Sequence, residues 1–295
     1  MTPVPYNKIL LALDGSEQSL ETARYLSRMM PAHTQEVLLF HVRDKIPDSY
    51  WELEKDPQFG PQVKVIQAWD AREREKIEEF FNQVREMFLA AGYPEGMIKV
   101  RIADKVQGVA RDIVAESGKG YAVVVGRIGS SRARLIKDLV LGGTAYKILS
   151  RVTDTDLCLV SGSPQPGNIL WALNSPEGAL RAAGLVTNLL RGQARDLVLF
   201  HADRGRTVSD QAVKLLDEVK TRLIGTGFGE SRIRTVTAAG VGSVSAAIVE
   251  TAVAEGCGTV TISRRSQTVP GELLVGRVTN RVVHLAYDLA VWVSS

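Results

Sequence analysis

Adding 160 to a residue number carries the opening of this chain onto a later stretch of itself without a gap. NKILLALDGSEQSLETARYL, from Asn7, falls on GNILWALNSPEGALRAAGLV, from Gly167. Ile9 pairs with Ile169, Leu13 with Leu173, Glu17 with Glu177 and Ala23 with Ala183. The triplet Leu39-Phe40-His41 falls on Leu199-Phe200-His201. A chain that repeats itself must fold twice in the same way, and each copy is a control for the other. At Asp14 the second copy has Asn174, so a carboxylate is present in one copy and absent from its twin.

The 295 residues suit two domains of about 100–200 residues, each able to bury a core. The spacing sets them at residues 1–162 and 168–295, joined by SGSPQPG, whose two prolines discourage helix. The charge is nearly balanced, with 36 basic and 33 acidic side chains. That argues against nucleic acid as a partner, which calls for a basic stripe. No apolar run approaches the ~20 residues that span a bilayer, and the first residues do not read as a signal peptide. A cytoplasmic protein is expected. Cys158 and Cys257 lack metal or redox spacing and read as buried thiols.

Lys8 to Leu13, Glu36 to Phe40 and Tyr121 to Val125 are short, continuous apolar runs, the pattern of strands buried on both faces in a parallel sheet. Between the first two, Leu20, Ala23, Leu26 and Met30 recur at helical spacing after Ser16, a good N-cap. The fold class expected is α/β: two tandem open, mostly parallel five-stranded sheets with flanking helices. Asp44 to Gln67 has no counterpart of its length in the second copy. With three prolines and the aromatics Tyr50, Trp51 and Phe59, it reads as a long irregular insertion serving as lid, interface or inert loop.

Two features could carry chemistry. Asp14 ends the first strand, where open parallel sheets bind ligands, and its carboxylate can accept from an adenine amino group or a ribose hydroxyl. It can equally shape an Asp-Gly turn. Val125-Gly126-Arg127-Ile128-Gly129 and Gly142-Gly143-Thr144 surround a basic stretch and lead into a helix. Glycines there allow close backbone approach, and a helix start attracts anions, so the pattern reads as a phosphate cradle or as tight loops with caps. It is neither the P-loop nor the dinucleotide fingerprint. His41 and His201, matched in both copies, point to strand-end hydrogen bonding.

These residues together resemble the universal stress protein family in its tandem form, including an adenine nucleotide alpha hydrolase-like fold. The resemblance covers essentially the whole chain. It implies ATP at Asp14, Gly126, Gly129, Gly142, Gly143 and Thr144, with Ala12 and Val42 near adenine, and Mg2+ only together with ATP. It also implies that Leu157 to Val160 and Leu289 to Val293 cover each other's edges. The chain departs from the pattern in two ways. Twelve residues, Ser130 to Leu141, separate Gly129 from Gly142 instead of nine, and bring Arg132, Arg134 and Lys137. The second copy keeps the nine-residue gap but has Asn174, Ser263, Ser266 and Arg277 at the key positions. The expectation is ATP in the first copy and none in the second.

No nucleophile–base pair, paired carboxylates or metal cluster stands out, so binding is expected rather than fast catalysis. The leading reading is a stress-response or regulatory protein switched by adenine nucleotide. One alternative is an interaction protein acting through residues 44–67, with a protein partner or a second copy of itself. The other is a slow ATPase.

Overall fold

The computed structural model describes residues 7–32, 35–53, 58–128, 143–192, 194–264 and 276–295. The first half runs β1 (Lys8–Ala12), α1 (Glu17–Met29), β2 (Glu36–Arg43), α2 (Asp48–Glu52), α3 (Gly60–Ala90), β3 (Ile98–Asp104), α4 (Val109–Ser117), β4 (Val123–Arg127), α5 (Gly143–Arg151) and β5 (Asp156–Val160). The second half runs β6 (Asn168–Ala172), α6 (Pro176–Leu190), β7 (Leu197–Ala202), α7 (Asp210–Gly225), β8 (Ile233–Ala238), α8 (Val244–Ala254), β9 (Cys257–Ser263), α9 (Arg277–Leu285) and β10 (Ala290–Ser294).

The strands form one sheet in the order β3-β2-β1-β4-β5-β10-β9-β6-β7-β8. Every pairing is parallel except β5 with β10, where Val160 faces Ala290 and Leu157 faces Val293. The two expected five-stranded arrays therefore meet at an antiparallel seam. Each end strand satisfies the backbone groups its neighbour would otherwise leave open. One face is packed by α1, α3, α6 and α7, the other by α4, α5, α8 and α9. Both faces of the central strands are buried, which is why their sequences do not alternate.

Polar side chains also cross the seam. The buried Tyr25 hydroxyl accepts from Trp292 Nε1 at 2.8 Å and bonds Thr259 Oγ1 at 2.8 Å. The Arg195 guanidinium donates to the carbonyls of Arg28 and Met29 at 2.6 and 2.9 Å. A cation on the last carbonyls of α1 satisfies acceptors the helix cannot, and it opposes the negative end of the helix dipole. Both thiols are buried, and burial pushes that of Cys257 up to about 12.

One expectation is corrected. Residues 44–67 are not irregular throughout: they hold α2, and α3 begins within them, at Gly60. Pro61 does not prevent this. It lies in the first turn, where its missing N–H has no intrahelical partner to lose. Val63, two residues on, is buried.

Candidate functional site

Strand β1 lies between β2 and β4, so connections leave it in opposite directions and a cleft opens beyond the strands' carboxyl ends. A cavity of about 590 Å3 occupies that cleft. Ala12, Asp14, Val42, Gly126, Gly143 and Thr144, all named from the sequence, line it together. Gly129 and Gly142 lie outside the described residues, as do Arg132, Arg134 and Lys137.

Asp14 follows β1 and is presented by a tight turn. Gly15 adopts φ +79°, which suits glycine, and a Cβ there would stand 2.8 Å from Ile77 of α3. Ser16 caps α1, its hydroxyl accepting from the Ser19 N–H at 3.2 Å. The same Ser16 donates to Asp14 Oδ1 through its hydroxyl at 2.5 Å and its N–H at 3.1 Å. Arg127, ending β4, reaches Asp14, donating to Oδ2 through Nε at 2.7 Å with Nη2 in ion-pair contact at 2.6 Å. Burial by itself would raise the Asp14 carboxyl. The Ser16 hydroxyl and the Arg127 guanidinium outweigh it and hold the group below the usual carboxylate value.

The glycines leave room. Among the described residues, a Cβ built on Gly126 would meet nothing nearer than Leu159 at 4.0 Å, and one on Gly143 nothing within 4 Å. Neither glycine is demanded by packing, and both keep side-chain bulk out of the cavity. His41 makes the strand-end bond expected of it: its Nδ1 lies 2.9 Å from the Leu13 carbonyl, as His201 Nδ1 lies 2.9 Å from that of Leu173.

The roof was missed by sequence reasoning. α3 has 31 residues against 16 in its counterpart α7, and both end the same distance before a short 3-10 turn. The extra 15 residues, 60–74, carry Trp69, Asp70, Glu73 and Arg74, which all line the cavity. They are held to the sheet through Arg43, whose Nε donates to Asp104 at 2.6 Å and whose Nη1 lies 4.0 Å from Asp70. Arg74 pairs with Asp70 at 2.8 Å. Trp69 remains 56% exposed. The signal was available as the length difference between copies, but proline content disguised it as a loop. Arg127 was also passed over as a partner for Asp14.

At the equivalent place in the second half, the described side chains pack against the first turn of α6. α6 begins one residue earlier, with Ser175 as its N-cap. Asn174 Oδ1 and Ser263 Oγ lie 2.5 and 2.7 Å from the point where a Gly178 side chain would begin. By strand register Ser263 takes the place of Arg127, and Arg264, 7% exposed, takes that of Ile128. The guanidinium nitrogens of Arg264 have no hydrogen-bond acceptor among the described residues.

A family model described as the universal stress protein family matches residues 5–155, just over half of the chain. The chain belongs to the universal stress protein family. None of the curated proteins matches it. Among solved structures, a universal stress protein from Archaeoglobus fulgidus DSM 4304 is similar at 17% identity and a TM-score of 0.66, with 99% of each chain covered. Two chains from Pseudomonas aeruginosa are similar at 14% identity. That of strain UCBPP-PA14 has a TM-score of 0.57, covering 100% of this chain and 95% of its own. That of strain PAO1, described as functionally unknown, has 0.54, covering 98% and 92%. At these identities the likeness concerns the fold, and it extends to the tandem arrangement of this universal stress protein. No helix among the described residues is long and apolar enough to cross a membrane. Among the same residues, no three His, Cys, Asp or Glu side chains gather as a metal site.

Proposed function

We propose that this protein is a regulatory universal stress protein that binds one adenine nucleotide, in the cavity of its first half. The observation that carries this reading is the convergence of Asp14, Gly126, Gly143 and Thr144 on one cavity at the switch point of the sheet. A carboxylate stands on one side. On the other are two glycines whose missing side chains leave space for a ligand. The size supports it as well, since small-molecule sites commonly enclose about 300–1,000 Å3. Thr144 lies in the first turn of α5, whose free N–H groups and positive dipole end favour a phosphate. Asp14 would hold the sugar, and Ala12 and Val42 would border the base. Mg2+ would accompany the phosphates.

The role is a switch. A ligand shifts a conformational equilibrium only by binding one state better than another, and the α3 extension over the cavity is the element in position to report occupancy. The reading is tested by titrating ATP calorimetrically into the intact wild-type chain and into Asp14→Ala. Saturable binding in wild type that is lost in the variant is expected. No heat at millimolar ATP in the wild type would refute it. Trp69 offers a second readout in a Trp51→Phe background, because the other two tryptophans, Trp171 and Trp292, are fully buried and changes in the cavity should leave them unmoved.

A further inference from the structure

Both oxygens of the Asp14 carboxylate are already engaged. Oδ1 receives the Ser16 hydroxyl and N–H, and Oδ2 receives Nε of Arg127, whose Nη2 lies 2.6 Å away. A sugar hydroxyl arriving at Oδ2 competes with the Arg127 guanidinium. One of these donors must give way first. The two from Ser16 are tied to the cap of α1, since the same hydroxyl accepts from Ser19. The Arg127 pair is the one that can move: its side chains are 28% and 46% exposed, and ion pairs this accessible are weak.

What can draw Arg127 away is set by where its backbone stands. It directly follows Gly126, on the side of the cavity that leads to Gly143 and Thr144. A guanidinium there can turn from a monovalent carboxylate to a phosphate, which it binds in the same forked geometry and with greater charge.

We infer that Arg127 is a phosphate-opened gate on Asp14, and that it makes the site select phosphorylated nucleosides over free nucleosides. The inference rests on the nucleotide reading above. In the closed state the guanidinium covers the sugar-binding acceptors. A phosphate recruits it, Asp14 is uncovered, and the sugar hydroxyl takes the vacated Oδ2. Adenosine, with nothing to attract the arginine, must break the ion pair uncompensated.

The test is calorimetry of the intact chain with adenosine and with ATP, in wild type, Arg127→Gln and Arg127→Lys. In wild type ATP binds far more tightly than adenosine. Arg127→Gln should tighten adenosine about 2- to 5-fold, the cost of an exposed ion pair, while weakening ATP roughly tenfold or more. Arg127→Lys, which keeps the charge but not the fork, should tighten adenosine and hold ATP nearer to wild type. Opposite movement of the two affinities is the signature, since damage to the fold would weaken both. ATP binding in wild type, with both ligands weakened alike or adenosine unchanged in Arg127→Gln, would overturn the gate and leave the nucleotide reading standing. Adenosine bound by Arg127→Gln while wild type ignores ATP would support the gate and remove ATP as its opener. Silence of every ligand in all three proteins would overturn both.

Discussion

Beyond β1 an aspartate meets an arginine beside an open cleft; beyond β6 an asparagine and a serine pack against the first turn of a helix. The two sites share strand order, helix position and even the histidine bond to the strand-end carbonyl. They differ in a few side chains and in the 15 extra residues of α3. The scaffold tolerates these differences because its core residues face the sheet and the packing helices, not the strand ends.

The comparison can be broken most severely by making the first half resemble the second. Asp14→Asn should weaken ATP on the order of 10- to 100-fold, the worth of a hydrogen bond to a charged acceptor, as read by calorimetry. Gly126→Ser, which adds bulk on the cavity side, should weaken ATP as well, with little change in melting because the Cβ meets no close neighbour. Unchanged affinity in both variants would place the ligand elsewhere.

Next in size is the seam that makes the halves one body. Tyr25→Phe removes the acceptor for Trp292 Nε1 and the partner of the Thr259 hydroxyl, all of them buried. The expected loss is about 1–3 kcal/mol in denaturant unfolding, the cost of stranding buried polar groups. Two separated transitions in wild type would show instead that the halves unfold independently.

A smaller effect concerns pH. The Asp14 carboxyl is held below its ordinary value, so the folded state keeps it ionised more readily than the unfolded chain does. Its stabilisation is fully present above about pH 4, the unfolded value, and disappears as pH falls through the lower folded value. The side chain is 46% exposed, so the difference between wild type and Asp14→Asn should be about 1 kcal/mol or less at neutral pH and vanish in acid. A difference that grows on acidification would contradict the pairing. Smallest of all, Asn174→Asp should create no second nucleotide site, because Ser263 still crowds the first turn of α6.

The architecture was largely legible because buried parallel strands and amphipathic helices leave periodic marks, and because the repeat showed them twice. Ser16 as N-cap and the matched histidines were readable for the same reason: each acts on backbone within its own unit. The Asp14–Arg127 pair was not. It joins residues 113 positions apart, and only the placement of β4 beside β1 brings them together. The roof of the cavity was hidden differently. Residues 60–74 look like a proline-containing loop until Pro61 is placed in a first helical turn, and Trp69 then faces the cavity rather than a partner. The joining of both arrays into one sheet followed from resemblance and edge logic, since nothing in LCLV or AVWV names its partner.

The central claim is the asymmetry: one nucleotide site per chain, built on Asp14. Native mass spectrometry of the intact protein across an ATP titration counts it directly. One bound nucleotide per chain at saturation, absent from Asp14→Asn, is the predicted result. Two per chain, or one that persists in Asp14→Asn, would contradict it.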